Sequence, residues 1–266
     1  MPDMATQSDR VLATFTAGYY NILARFFALL LGGLAIAWGV ATIPIFWGQA
    51  PIEYVARHII RGEPYNIEAL MRQMPAVEAV ERSKICRPIA LWSAAIIRLR
   101  IAEQAARDEA KQPIGGNLLG MLYNSAQRSL SCSATESFLR LVLYWAERTQ
   151  GKSTQDSANF LRMSYELGPN EGWIALKRNP LAFTEYQTLP SDLKANAITE
   201  LVTLVNSEFY QPAADIFTGP AWPARNVILR QLATLPPRRK EEFSRIVNKR
   251  GFDAKIPELE RPNLMH

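Results

Sequence analysis

Residues 26–47 read FFALLLGGLAIAWGVATIPIFW and carry no charged side chain. About 20 apolar residues in a helix cross the ~30 Å hydrocarbon layer of a bilayer, and a single segment satisfies its own backbone there only as a helix. The sequence therefore predicts a transmembrane helix at 26–47. Around it we expect a short N-terminal leader at 1–25, a helical domain at 51–251 and a flexible tail at 252–266.

A cleaved signal peptide is the alternative interpretation of this apolar stretch, because Gly48 and Ala50 supply small residues where a peptidase would cut. The apolar region of a signal peptide normally has about 7–15 residues. The present stretch has 22 uncharged residues behind a 25-residue leader. Its length favours an uncleaved membrane anchor.

The orientation of the anchor is not decided by its flanking charges. Arg10 and Arg25 precede the apolar stretch, and Arg57 and Arg61 follow it, so the positive-inside rule gives a tie. Arg25 at the membrane edge, the short leader and the long C-terminal domain favour a cytoplasmic N-terminus. We therefore expect a single-pass protein of the bacterial inner membrane with its domain in the periplasm.

Small residues recur every four positions within the predicted span, at Gly33, Ala37 and Ala41. Such a stripe allows a second membrane helix to approach closely, so these residues are candidates for membrane-helix packing. Small residues are also common in membrane spans in general, and this general abundance is the preferred explanation of the stripe.

The remaining chain has the composition of a folded helical domain. Apolar residues make up 48% and charged residues 21% of the sequence, and no segment shows the two-residue alternation of a strand. The expected fold class is all-α, with one N-terminal transmembrane helix followed by a tetratricopeptide-like (TPR-like) array of helical hairpins. Apolar periodicity, caps and the Gly and Pro positions predict helices at 52–61, 66–74, 88–111, 117–130, 135–149, 155–167, 181–188, 193–209, 213–217, 224–235 and 238–249.

A weak internal repeat appears at an offset of 35 residues, which pairs Ser129 with Ser164 and Phe138 with Trp173. This period is close to the 34 residues of tetratricopeptide repeats. Small and apolar residues and a closing proline occur at the spacing of the second repeat helix, at Ser157, Leu161, Ser164 and Pro169.

Over residues 117–176 the chain therefore resembles the tetratricopeptide family. The first-helix half departs from that pattern, because Trp145 and Arg148 stand where a small and an aromatic residue are expected. The segments CRPIALWSAAIIRLRIAE and LRMSYELGPNEGWIALKRNPLA are also similar to membrane-anchored, TPR-like envelope proteins of Gram-negative bacteria, some of them linked with exopolysaccharide genes. This resemblance spans residues 86–185 and implies an accessory role at the cell envelope, without catalytic residues.

Residues 146–153, AERTQGKS, satisfy the relaxed spelling of a phosphate-binding loop. A phosphate cradle needs glycine-rich backbone, whereas this segment offers Glu147, Arg148 and Gln150 and would repel the anion with its carboxylate. The stretch is better interpreted as a helix end that closes at Gly151. We therefore predict no nucleotide site.

Two histidines, His58 and His266, are too few for a histidine-based nucleophile system or metal site. We expect no enzyme activity, no cofactor and no catalytic or metal-binding residue. The net charge of +5 comes from 30 basic and 25 acidic residues mixed along the chain, with a cluster at Arg238, Arg239 and Lys240. A solvated helix face explains this cluster better than an anionic polysaccharide or lipid does, and nucleic acid is not expected as a partner.

The chain has two cysteines, Cys86 and Cys132, and each lies near a predicted helix end. In an oxidising periplasm they are expected to form a disulfide between neighbouring hairpins, whereas in the cytoplasm they would be two buried thiols. Aromatic side chains at helical spacing are expected to form the centre of the repeat core: Phe138, Tyr144, Trp145, Tyr165 and Trp173.

These observations favour a scaffold or assembly factor that is embedded in the lipid bilayer and binds other envelope proteins through its helical domain. The alternative is an accessory protein of exopolysaccharide or lipopolysaccharide biosynthesis or export, which the envelope resemblance and the basic excess would support. An enzyme is the third class, because a fold alone excludes no activity.

Overall fold

The computed structural model describes residues 23–43, 50–108 and 115–256, and over these residues the protein is all-α. The α-helices are α1 (Leu23–Ile43), α2 (Ala50–Ile60), α3 (Ile67–Met71), α4 (Met74–Arg82), α5 (Pro88–Asp108), α6 (Gly115–Cys132), α7 (Ser137–Thr149), α8 (Thr154–Leu167), α9 (Gly172–Thr184), α10 (Ser191–Asn206), α11 (Tyr210–Thr218), α12 (Arg225–Leu232) and α13 (Pro237–Lys249). A short 3-10 turn at Trp222–Ala224 precedes α12.

Helix α1 is long and apolar enough to cross a membrane. It has 21 residues and a mean hydropathy of 2.1, and none of its most apolar window is buried against the rest of the protein. The helix begins before the predicted span, so Arg25 lies within it. Residues 44–47 of the predicted span and residues 1–22 of the predicted leader lie outside the described residues.

The first module after α1 consists of α2, α3 and α4 packed on α5. The predicted helix at 66–74 is wrong, because the structure divides this stretch between α3 and α4. Asn66 caps α3 by accepting a hydrogen bond from the backbone N–H of Glu68 at 2.8 Å. Pro75 lies in the first turn of α4, where its missing N–H would have no helical partner, so it begins a helix there and does not end one.

The next six helices form three antiparallel hairpins, in which α5 packs on α6, α7 on α8, and α9 on α10. Helix α5 also contacts α7, and α7 contacts α9. These three helices, α5, α7 and α9, are called the odd row below. Glycines in the left-handed region end three helices, at Gly62 after α2, Gly151 after α7 and Gly251 after α13, with φ of 84°, 81° and 83°.

The 35-residue offset in the sequence corresponds to equivalent helices. Shifting Ser137–Thr149 of α7 by this offset gives Gly172–Thr184 of α9, and the last residue of α6 shifts onto the last residue of α8. Ser129 and Ser164 are both fully buried, and the rings of Phe138 and Trp173 lie 4.9 Å apart. The helix bounds of α7 and α9, and the ends of α6 and α8, therefore coincide under the 35-residue offset.

The prediction of a helix at 181–188 is wrong, because α9 starts at Gly172 and contains Pro180 in its interior. An interior proline removes one backbone hydrogen bond. The buried side chains of Ile174, Arg178 and Phe183 hold both sides of the proline in one packed helix. Tertiary packing thus overrides the local signal to break the helix.

The C-terminal helices α11, α12 and α13 close the domain around aromatic contacts. Phe217 packs edge-on against both Trp222 and Phe243, with ring centroids 5.6 Å apart in each pair. The expectation of a flexible tail is wrong for residues 252–256, because Ala254 and Ile256 are buried in the same core. Residues 257–266 lie outside the described residues.

Candidate functional site

An apolar groove runs along α7 in the odd row. It has a volume of about 260 Å³. Its lining comes from all three helices of the row: Leu99 and Glu103 of α5, Phe138, Leu141, Val142 and Trp145 of α7, and Lys177, Pro180 and Leu181 of α9. We call these nine residues the row groove.

The sequence of α7 explains why a groove forms here. Its residues 138, 141, 142 and 145 are spaced as one helical stripe, and this stripe faces the groove. Leu139, Leu143 and Ala146 form a second apolar stripe that is fully buried in the core. On the groove side of α7, Phe138, Leu141 and Val142 are only 2–4% exposed and Trp145 is half-buried, so Trp145 is the α7 side chain most accessible from the groove.

The rim of the row groove carries two charged residues in different situations. Glu103 is paired with Arg100 at 3.4 Å. Lys177 has no hydrogen bond or ion pair within the part of the chain that the structure describes. The groove therefore offers a partner one unpaired positive charge beside an apolar floor.

A second hollow of about 210 Å³ continues from the row groove, with which it shares Trp145 and Leu181. Its polar wall contains Arg148, which donates to Glu185 at 3.0 Å. Burial, followed by the charge of Glu185, raises the pKa of Tyr144 to about 12. This hydroxyl stays protonated at neutral pH, and it is buried without a hydrogen-bond partner among the described residues.

Behind the groove, α9 is fixed by Arg178, whose side chain is fully buried. The Nε and Nη2 groups of Arg178 contact Glu200 Oε1 at 3.0 and 2.6 Å. Its Nη1 also donates a hydrogen bond to Ser164 Oγ at 3.1 Å, and its Nη2 donates one to the carbonyl of Gly168 at 3.0 Å. The guanidinium also lies 4.2 Å from the ring centre of Tyr165. One side chain of α9 thus joins α8 and α10.

Asn179 completes this buried network. Its Nδ2 donates to the carbonyl of Ala197 at 2.9 Å and to Glu200 Oε2 at 3.1 Å. Burial raises the pKa of Glu200 above its ordinary value of 4.5, while the charge of Arg178 and the hydrogen bonds oppose that rise. Because Arg178 and Asn179 point inward, the neighbouring Lys177 and Leu181 are held on the groove side of α9.

The structure brings the two cysteines together in a disulfide, with their Cα atoms 5.6 Å apart. Cys132 is the last residue of α6, and Cys86 lies two residues before α5. Arg128 Nη2 also donates to the carbonyl of Ser83 at 2.6 Å. The turn before α5 is therefore joined to the end of α6 by one covalent bond and one hydrogen bond.

The small-residue stripe lies on α1, where Gly33, Ala37 and Ala41 are exposed. A Cβ added at Gly33 would meet no atom within 4 Å. No other helix of the described residues packs on this stripe, so its use in membrane-helix packing stays a prediction.

The segment that resembles a phosphate-binding loop is an ordinary helix-to-helix turn. Lys152 Nζ contacts Glu147 Oε1 at 2.7 Å, and Ser153 caps α8. Among the described residues there is no group of three His, Cys, Asp or Glu side chains placed to hold a metal ion.

The expected aromatic centre is only partly buried. Phe138, Tyr144 and Tyr165 are buried, Trp145 is half-buried in the groove wall, and Trp173 is exposed. The cluster is therefore split between the core and the odd-row surface. Neither the row groove nor the Arg178 network was predicted from the sequence, although the apolar stripe of α7 was a visible signal for the groove.

No protein-family model matches this sequence, and no curated protein or solved structure is significantly similar to it. The function proposed next therefore rests on the residues of the chain itself.

Proposed function

We propose that this protein is a membrane-anchored scaffold or assembly factor that binds another envelope protein in the row groove. The observation that supports the proposal most directly is the groove, an apolar channel across three helices with the unpaired Lys177 on its rim. Helical-hairpin arrays commonly use the surface of one helix row to bind extended or helical segments. The proposal assigns no catalytic step and no cofactor to the protein.

We further propose that the hairpins form a TPR-like array, which would suit this function. The helix bounds repeat at an offset of 35 residues, and the helices of the odd row contact one another in sequence. Trp145 replaces the small residue that the tetratricopeptide pattern wants, and it lies in the groove wall. The array is thus specialised, with a bulky aromatic residue at the binding surface.

The occupant that fits the groove is an amphipathic helix of a partner protein. Its apolar face would cover the partly exposed Trp145, Pro180 and Leu181, as in helix-in-groove recognition. An aspartate or glutamate on its edge would pair with Lys177, because this is the unpaired charge of the rim. An acidic amphipathic segment is therefore the partner chemistry that the groove selects.

Groove binding is tested with a photo-crosslinking side chain at Leu181 in the full chain, in intact membranes. We expect a defined adduct that maps to an acidic amphipathic segment of one partner. Adding Lys177→Glu should reduce the adduct about tenfold or more, because it replaces the attraction between the rim and the acidic edge of the partner with a like-charge contact. The matched control places the crosslinker at Val227 with Arg230→Glu on α12, a distant surface. Equal adducts at both sites, or no effect of Lys177→Glu, would contradict groove binding.

We further propose that α1 spans the inner membrane once, with the N-terminus in the cytoplasm and the domain in the periplasm. Alkaline phosphatase fused after His266 is expected to be active, because this reporter needs an oxidising compartment. A cytoplasm-dependent reporter at the same position should be inactive. The opposite fusion pattern would reverse the proposed compartment.

The second candidate function is an accessory role in exopolysaccharide or lipopolysaccharide production or export, with an anionic polysaccharide as ligand. The basic excess of the chain favours it. The cluster at Arg238, Arg239 and Lys240 contributes little, because Arg239 pairs with Glu208 and Lys240 Nζ donates to the carbonyl of Ala233. Unchanged amount and length of surface polysaccharide after deletion of the gene would remove this candidate.

A further inference from the structure

Residues 84–89, KICRPI, form an exposed turn that enters α5, and we call them the docking segment. Ile85 is 59% exposed and Ile89 is 66% exposed. These are the most exposed large apolar side chains within the described residues 50–108 and 115–256. Two isoleucines so open to solvent within one turn mark a surface that meets an apolar environment.

This turn is held in place by its connections to α6. Cys86, between the two isoleucines, is bonded to Cys132, and Ser83 accepts a hydrogen bond from Arg128. A flexible turn could fold its isoleucines against the domain, whereas this one is fixed with both of them outward. Their exposure is therefore built into the fold.

The surroundings of the docking segment are basic. No acidic residue occurs between Glu81 and Glu103 or between Glu109 and Glu136 in the sequence. Three basic residues, Lys84, Arg87 and Arg128, lie beside the isoleucines, whereas Arg82 is paired with Glu78 at 3.6 Å. Glu81 is engaged with Arg98 at 2.6 Å and is only 17% exposed, so it does little to neutralise them. Exposed isoleucine side chains surrounded by basic residues are suited to binding the headgroup layer of an anionic bilayer.

Chain connectivity also places this segment close to the membrane. Six residues separate Ile43 at the end of α1 from Ala50 at the start of α2, and they span about 25 Å at most. Helix α2 packs on α5, and Ile52 belongs to the same buried cluster as Ala90 and Leu91, which directly follow Ile89. The turn before α5 therefore belongs to the module that is tethered directly to α1.

We propose that the docking segment rests on the bilayer that α1 crosses, with Ile85 and Ile89 at the acyl boundary and Lys84 and Arg87 among anionic headgroups. This proposal depends on the membrane-anchoring part of the proposed function and not on the row groove. A contact at the base of the domain would fix its orientation relative to the membrane. The row groove would then face its partner at a defined height and angle.

The experiment uses the full chain in lipid nanodiscs and measures hydrogen exchange of peptides that cover residues 84–89. One set of discs contains phosphatidylcholine, and the other contains equal parts of phosphatidylcholine and phosphatidylglycerol. We expect slower exchange in the anionic discs than in neutral discs or detergent. Lys84→Gln with Ile85→Ser should abolish this difference, because a single charge near an anionic surface contributes about fivefold to docking.

The matched control is Arg230→Gln with Val227→Ser on α12, which also removes one exposed base and one exposed aliphatic side chain. It should leave the protection of residues 84–89 unchanged. Equal exchange in anionic discs, neutral discs and detergent overturns the proposal, as does equal protection in both lipids. Peptides of α1 report separately on the membrane anchor. Fast hydrogen exchange in α1 would contradict both anchoring and docking. Slow exchange in α1 together with fast exchange in residues 84–89 would contradict docking alone.

Discussion

Arg178→Met is expected to lower the free energy of unfolding by about 3–5 kcal/mol, because it leaves the Glu200 carboxylate buried without its counter-charge. Arg178 is fully buried and Glu200 is 6% exposed, so water cannot replace the lost partner. Methionine has a similar length to the arginine stem, so the substitution removes the charge and its hydrogen bonds without leaving a large cavity. Chemical denaturation of the full chain in detergent, followed by circular dichroism, measures the loss.

Two further variants separate this effect from a general sensitivity to substitution. Arg178→Met with Glu200→Leu should be more stable than Arg178→Met alone, because the double variant leaves no unpaired charge in the core. Arg245→Met removes a partner of Glu242 in an exposed pair, with exposures of 52% and 39%, and should leave stability nearly unchanged because water and salt screen this pair. A loss for Arg178→Met no greater than that for Arg245→Met would contradict the prediction.

The loss of unfolding free energy in Arg178→Met should also depend on pH, and the protonation of Glu200 decides whether it grows or shrinks as pH rises. Burial already raises the pKa of Glu200 above 4.5 in the folded protein, and removal of Arg178 should raise that pKa further. An acid whose pKa is higher in the folded state binds more protons when folded, so stability falls as pH rises from 4.5 towards the folded-state pKa. Arg178→Met should therefore be least destabilised below pH 4.5 and most destabilised at neutral pH. A loss independent of pH would show that the carboxylate is not its cause.

The sequence predicted those features that depend on neighbouring residues. Gly62, Gly151 and Gly251 were each expected at a helix end, and each has the positive φ that glycine adopts most readily. The all-α fold followed from the apolar periodicity in the same way. Local chemistry and tertiary structure agree at these places.

Predictions failed where distant contacts override a local signal. The predicted helix at 66–74 was ended at Pro75, which instead lies in the first turn of α4, and the helix predicted at 181–188 is the end of α9, which begins before Pro180. Proline is tolerated in a first turn, and at an interior position the helix persists when packing holds both sides of it. Ala254 and Ile256 were assigned to a loose tail because Pro257 follows, but their burial depends on the core formed by the preceding helices.

In the candidate site, too, some features depend on neighbouring residues and others on distant contacts. The apolar stripe of α7 is visible in the sequence, but whether it is covered or left as a groove depends on how α5 and α9 are placed beside it. Arginine is usually exposed, so nothing in the sequence near Arg178 predicts that this side chain is buried. Its burial depends on Glu200, which lies 22 positions further along the chain on another helix. No periodicity argument relates these two residues.

Cys132→Ser is expected to lower the free energy of unfolding by about 2–4 kcal/mol when the protein is isolated from an oxidising compartment. The disulfide closes a loop across a sequence separation of 46 residues, so its loss gives the unfolded chain more freedom. Serine keeps a side chain of similar size, which limits any packing contribution. Thermal unfolding without reductant measures the difference, and membrane insertion of α1 should be unaffected.

The number of disulfides that are broken, and not the number of cysteines replaced, should decide the loss of stability. Cys86→Ser with Cys132→Ser should match Cys132→Ser alone, because one bond is lost in both variants. Reductant should lower the unfolding temperature of the wild-type protein to that of the variants and leave the variants unchanged. Wild-type thiols that label fully in intact, unreduced cells would contradict both the bridge and the periplasmic compartment. Because this bond also holds Ile85 and Ile89 outward, the same reductant should weaken the protection of residues 84–89 in anionic nanodiscs if the docking segment contacts the bilayer.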